Sequence, residues 1–128
     1  MKRVLILGCT GSIGKSSIDI VQNMSEDFTV CGLQAHSNKD ELLKLSKEFN
    51  CPTLLSSEDN SEEAFNKLID ESKPDIVING IAGAAGLLPS KVVLENKIDL
   101  ALANKETIVM AGPLIKKLAK DKGAKLLP

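Results

Sequence analysis

Apolar residues in this 128-residue sequence follow two alternating patterns. Short unbroken runs such as Val4-Leu5-Ile6-Leu7 and Ile76-Val77-Ile78 have the length and content of strands buried on both faces. Between them lie longer segments where apolar residues return every three or four positions, as they do on a helix with one face in a core. The pattern predicts strands at about 3–7, 28–34, 53–55, 75–79, 98–103 and 124–127. It predicts helices at Ser12 to Met24, Lys39 to Phe49 and about 88–96. Another is opened by the capping-box spacing Asn60-Ser61-Glu62-Glu63 and stopped by Pro74. The last follows Gly112-Pro113 and ends near Gly123. The first helix should bury Ile13, Ser17, Ile20, Val21 and Met24, the second Leu42, Leu45 and Phe49, and the last should turn Leu114, Ile115, Leu118 and Ala119 inward.

Strands alternating with helices over residues 1–128 describe one α/β domain: a Rossmann-like, doubly wound, mainly parallel sheet with helices on both faces. In such sheets ligands bind beyond the carboxyl ends of the strands, where strand order reverses. Gly8-Cys9-Thr10-Gly11-Ser12-Ile13-Gly14 falls at the first such end. A strand turned by glycines into a helix N-terminus offers free N–H groups, the positive end of the helix dipole and room for a phosphate to approach the backbone. The spacing is G-x-x-G-x-x-G rather than G-x-G-x-x-G, so a glycine-rich turn without a ligand stays open at this point. Gly14 has the position that lets helix pack closely on strand. A second small-residue turn, Gly80 to Gly86 with Ala82 near its middle, follows the fourth strand and should face the first. It could equally serve close packing alone.

The end of the second strand decides between nicotinamide cofactors. An acidic residue there would hold the adenosine ribose hydroxyls of NAD, whereas a 2′-phosphate requires donors and no carboxylate. The chain carries His36, Ser37 and Asn38, with Asp40 the nearest carboxylate, which points to NADP. Asn38 also stands where it would cap the next helix, and the two roles are compatible. At the fifth strand's end, Asn104-Lys105-Glu106 reads either as ligand contacts, with Lys105 facing a phosphate or polarised oxygen, or as a solvated helix cap.

Composition narrows the field further. Sixteen basic against seventeen acidic residues, with no Trp, no Tyr and three Phe, argue against nucleic-acid and membrane-surface binding. Three scattered cysteines, Cys9, Cys31 and Cys51, form neither a disulfide framework nor a zinc pattern and suit a cytoplasmic protein. The first strand begins so close to Met1 that no signal peptide is expected.

Three stretches, Ile6 to Gly14, Gly83-Ala84-Ala85-Gly86-Leu87-Leu88-Pro89 and Leu102-Ala103-Asn104-Lys105-Glu106, together resemble the N-terminal part of the 1-deoxy-D-xylulose 5-phosphate reductoisomerase family. The resemblance implies an NADPH-dependent enzyme of non-mevalonate isoprenoid biosynthesis. Such an enzyme converts deoxyxylulose phosphate, a small phosphorylated sugar, to 2-C-methyl-D-erythritol 4-phosphate with Mg²⁺ or Mn²⁺. It implies that Thr10, Gly11, Ser12 and Ile13 line the pyrophosphate and that His36, Ser37 and Asn38 hold the adenosine end. Asn104 and Glu106 would flank the nicotinamide and Lys105 would reach the substrate; Gly8, Gly14 and Ala82 complete the expected cofactor contacts. His36-Ser37 departs from the Gly-Lys that many members carry. The family's metal site begins in an Asp-Ser-Glu segment that does not occur here, so the chain is expected to be an excised NADPH-binding domain, inactive alone. A homodimer is implied for the full-length enzyme and a monomer for this chain. The alternatives are the cofactor domain of an NADP-dependent semialdehyde dehydrogenase or acyl-phosphate reductase, and a stand-alone nucleotide-sensing domain.

Overall fold

The computed structural model describes residues 1–103 and 105–127, with side chains left out for 105–111. Six parallel strands pair in one sheet: β1 (Lys2–Leu7), β2 (Phe28–Ala35), β3 (Thr53–Leu55), β4 (Ile76–Asn79), β5 (Asp99–Leu102) and β6 (Leu126–Leu127). Their order is β3-β2-β1-β4-β5-β6, so the chain winds outward from β1 in one direction and from β4 in the other. Five α-helices alternate with them: α1 (Ser12–Asn23), α2 (Lys39–Phe49), α3 (Glu62–Ser72), α4 (Leu87–Glu95) and α5 (Lys105–Lys122). The expected doubly wound sheet is therefore present, and its strand order reverses between β1 and β4.

Both faces of β1 are covered, which is why its apolar run is continuous rather than alternating. Val4, Leu5, Ile6 and Leu7 are each at most 1% exposed. Val4 and Ile6 pack with Ile18 and Val21 of α1 and Leu42 and Leu45 of α2. Leu5 and Leu7 point to the other layer, with Phe65 and Leu68 of α3, Val92 and Val93 of α4, and Ile115 and Ala119 of α5. Side chains close the start of α2 and the end of α3. Asn38 accepts from the Glu41 N–H at 3.3 Å at the start of α2. The Arg3 guanidinium, at 2.7 Å from the Ser72 carbonyl through Nη2, satisfies an acceptor left over at the end of α3.

Five expectations are corrected. On α1 the buried stripe is Gly14, Ser17, Ile18 and Val21, while Ile20 is 59% and Met24 43% exposed. The helix docks through the side that has no Cβ at Gly14, and this rotates Ile20 and Met24 outward. The cap of α3 is Ser61, whose Oγ accepts from the Ala64 N–H at 3.1 Å, one residue later than the capping-box spacing from Asn60 indicates. Helix α5 begins at Lys105 and runs through Pro113. A proline costs one intrahelical bond, and the anchoring of Ile115 and Ala119 in the core outweighs it here. Leu114 faces solvent at 74% exposure instead of joining them. Phe49 is half-buried rather than fully enclosed.

Cys9 and Cys31 are buried, Cys51 is half-buried, and all three are free thiols. Burial pushes Cys9 up to about 12 and Cys31 and Cys51 up to about 11, from an ordinary 9.0. The folded state thus holds these protons more tightly than the unfolded chain. Their contribution to stability is complete below about pH 9 and is lost as pH rises through the folded values. Urea unfolding midpoints should stay level from neutral pH to about pH 9 and then fall, with the fall shallower in Cys9→Ala. An equal alkaline slope in the variant would count against this origin.

Candidate functional site

Three turns meet at the carboxyl ends of β1, β2 and β4. After Leu7 the chain turns at Gly8, whose φ of +74° lies in the left-handed region. The Gly11 N–H closes the turn on the Gly8 carbonyl at 3.1 Å, and the Cys9 N–H reaches the Gln34 carbonyl at 2.9 Å. Helix α1 starts directly afterwards with Gly11 as N-cap, and no side chain caps it. The N–H groups of its first turn have no intrahelical acceptors, so the helix presents donors and its positive dipole end together.

The three glycines of this turn do different work. A Cβ at Gly8 would stand 2.9 Å from the Gly80 carbonyl carbon, and one at Gly14 would stand 2.5 Å from the Cys9 Cα. The fold itself demands both. At Gly11 φ is −78°, and an added Cβ would meet only the Gly8 carbonyl oxygen, at 3.5 Å. Nothing in the chain's own packing requires glycine at position 11. What its missing side chain does is leave space in front of the helix.

Opposite, the Gly80 N–H continues the ladder to the Leu7 carbonyl at 2.9 Å and joins the second small-residue turn to the first. Asn79, 1% exposed, shapes this second turn. Its Nδ2 donates to the Gly86 carbonyl at 3.0 Å and to Ser90 Oγ at 2.8 Å, and its Oδ1 accepts from the Ile81 N–H at 3.0 Å. A 3-10 turn, Gly83–Gly86, then leads into α4.

Between the turns lies a cavity of ≈ 560 Å³ at the reversal point of the sheet. Gly8, Thr10, Gly11, His36 and Ala82, all expected cofactor contacts, line it. Ser12, Ile13 and Gly14 form the first turn of α1 beside it, with Ile13 half-buried and near Gly80. Ser37 and Asn38 follow His36 on exposed backbone, where Asn38 caps α2. Asn104, Lys105 and Glu106 lie outside the described residues, Asn104 altogether and the other two in their side chains. Sequence reasoning missed Gln34, Ser56 and Asn60, which also line the cavity. For Gln34 a signal existed, an amide ending an otherwise apolar strand; Ser56 and Asn60 arrive only because β3 pairs with β2. No carboxylate occurs among the described lining residues, and His36 is the titratable side chain there. The walls therefore suit a polyanion.

The model of the 1-deoxy-D-xylulose 5-phosphate reductoisomerase family matches residues 4–63 and 56–112. The chain belongs to this family. The reductoisomerase of Treponema denticola is 44% identical over 135 residues, covering 99% of this chain and 35% of the relative. A solved reductoisomerase in complex with NADPH, fosmidomycin and magnesium superposes with a TM-score of 0.86 at 31% identity, covering all of this chain and 36% of that one. The Zymomonas mobilis reductoisomerase in complex with NADPH gives 0.81 at 25% identity, over 99% of this chain and 38% of that one. The chain thus spans little more than a third of the length of the reductoisomerases it matches. Family membership displaces the semialdehyde dehydrogenase and acyl-phosphate reductase alternative.

The division among the glycines has a direct test by urea unfolding. Gly14→Ala should lose about 3 kcal/mol, because the new methyl group meets backbone that cannot yield. Gly11→Ala should stay within about 1 kcal/mol of wild type. Equal losses would remove the distinction between a fold glycine and a site glycine.

Proposed function

We propose that residues 1–128 form the NADPH-binding domain of a reductoisomerase that converts 1-deoxy-D-xylulose 5-phosphate to 2-C-methyl-D-erythritol 4-phosphate. The observation that carries this reading is the uncapped N-terminus of α1 at the sheet's reversal point, faced by a glycine that the fold does not need. Such a terminus binds a pyrophosphate through main-chain amides. Thr10, Gly11, Ser12 and Ile13 hold it, with Gly8 and Gly14 setting the turn and Ala82 on the opposite wall. His36, Ser37 and Asn38 receive the adenosine 2′-phosphate, for which a carboxylate-free wall is required. Asn104 and Glu106 flank the nicotinamide, and Lys105 reaches the sugar phosphate. NADPH supplies the hydride for the reduction.

The rearrangement preceding reduction needs a cation, Mg²⁺ or Mn²⁺, to stabilise oxyanion charge on the substrate. Among the described residues no group of three or more His, Cys, Asp or Glu is placed to hold a metal ion. We therefore assign metal binding and turnover to the part of the reductoisomerase length that this chain does not span, and the 128-residue polypeptide alone to cofactor binding as a monomer. Among the described residues no helix is long and apolar enough to cross a membrane, and a cytoplasmic location fits the three free thiols.

Fluorescence titration with NADPH and NADH tests the assignment. Wild type should bind NADPH more tightly than NADH. Gly11→Ala should weaken both, because its methyl group occupies space needed by the shared pyrophosphate. Ser37→Asp should weaken NADPH by about tenfold and leave NADH nearly unchanged, since a carboxylate repels the 2′-phosphate. Equal losses of both cofactors in Ser37→Asp would remove this loop from the site. Measurable conversion of deoxyxylulose phosphate by the 128-residue polypeptide would contradict the assignment of turnover.

A further inference from the structure

Gln34 is a buried amide, 2% exposed, at the end of a strand whose other inward residues are apolar. Its two ends make different bonds. Oε1 accepts the Gly8 N–H at 2.7 Å, and Nε2 donates to Ser56 Oγ at 2.9 Å. Because the Gly8 amide is a donor only, the orientation of the Gln34 amide is forced. Ser56 Oγ in turn stands 3.3 Å from His36 Nδ1 and 3.5 Å from the Ala35 carbonyl. That carbonyl already accepts the Ser56 N–H at 2.9 Å. Gln34 engages one lone pair of Ser56 Oγ, and of the two acceptors within reach of the hydroxyl proton His36 Nδ1 is the nearer, while the Ala35 carbonyl stands at the longer distance and already holds an N–H. A neutral imidazole that accepts this proton at Nδ1 carries its own on Nε2 and has a donor to offer a ligand.

We infer that Gln34 is a positioning residue for the dinucleotide site, joining the phosphate turn to the adenosine loop through a relay that runs from Gly8 to Ser56 and His36 and is buried at its centre. This deepens the cofactor reading above and rests on it for the binding effects. At one end the relay fixes the turn that opens α1. It occupies the Gly8 amide as well, leaving anion binding to amides further along. At the other end it selects the imidazole tautomer that can donate to a phosphate oxygen. The chain of bonds crosses three elements, β1, β2 and the segment after β3, so a displacement at either end is felt at the other.

Two variants separate the ends. Gln34→Met keeps the length and much of the volume of the side chain but neither accepts from Gly8 nor donates to Ser56. It should weaken NADPH and NADH alike, by about fivefold to tenfold, as expected for loss of one or two buried hydrogen bonds that orient the turn. Amide hydrogen exchange at Gly8 should accelerate in the same variant. Ser56→Ala leaves the Gly8 bond in place and should weaken NADPH several-fold more than NADH. The chain has a single histidine, so long-range ¹H–¹⁵N NMR reads its tautomer without ambiguity. With the ring neutral, wild type should show the Nε2-protonated form alone and Ser56→Ala a mixture.

Unchanged Gly8 exchange and unchanged affinities in Gln34→Met would overturn the inference. So would an Nδ1-protonated imidazole in wild type, a measurement that needs no variant to fold. If wild type binds neither cofactor, the cofactor reading fails, while exchange and tautomer still decide whether the relay exists.

Discussion

Close contact between two backbone turns at the centre of the sheet is the constraint from which the rest of this structure follows. A Cβ at Gly8 would stand 2.9 Å from the Gly80 carbonyl carbon, one at Gly80 would press on the Ile13 side chain at 3.2 Å, and Gly14 sets α1 against the same turn. This contact fixes the direction in which α1 leaves β1 and the face it buries. It also brings the uncapped helix end to the point where strand order reverses. The contact sacrifices side-chain packing at three positions, and the continuous apolar layers on either side of β1 compensate for it.

Four of the buried polar side chains cluster at the same end of the sheet. Gln34, next to last in β2, and Asn79, last in β4, are partnered by Ser56 and Ser90. A buried amide is costly unless both of its ends are paired, and a paired one holds its neighbours in a single arrangement. Asn79 thereby ties the second turn to α4, and Gln34 ties the first turn to the segment after β3. The cavity is bounded by backbone held in place from behind, which gives the site rigidity although most of its lining lies on loops.

Charge is handled by exclusion as much as by attraction. The described lining contains no carboxylate, and it combines main-chain amides with the side chains of Thr10, Gln34, His36, Ser56 and Asn60. Asp59, in the loop after β3, has its carboxyl held below its ordinary value by hydrogen bonds from Ser61, which turn it toward α3 rather than the cavity. A site of this kind accommodates a polyanion without concentrating positive charge on the protein, in keeping with its near-neutral balance.

Element type and order were legible in the linear pattern because strands covered on both faces leave unbroken apolar runs, and because glycine and proline punctuate the segments between them. The glycine turn, the second turn and the His36-Ser37-Asn38 loop were legible for the same local reason, and so was the capping role of Asn38. The orientation of α1 was not, since Ile20 and Met24 have the spacing of a core stripe and only docking at Gly14 turns them outward. Nor was the continuation of α5 through Pro113, where local propensity is overridden by the anchoring of Ile115 and Ala119. The division of labour among Gly8, Gly11 and Gly14 and the partnership of Gln34 with Gly8 and Ser56 depend on atoms far apart in the chain. Periodicity records which face a residue prefers; it carries no information about which distant backbone that face will meet.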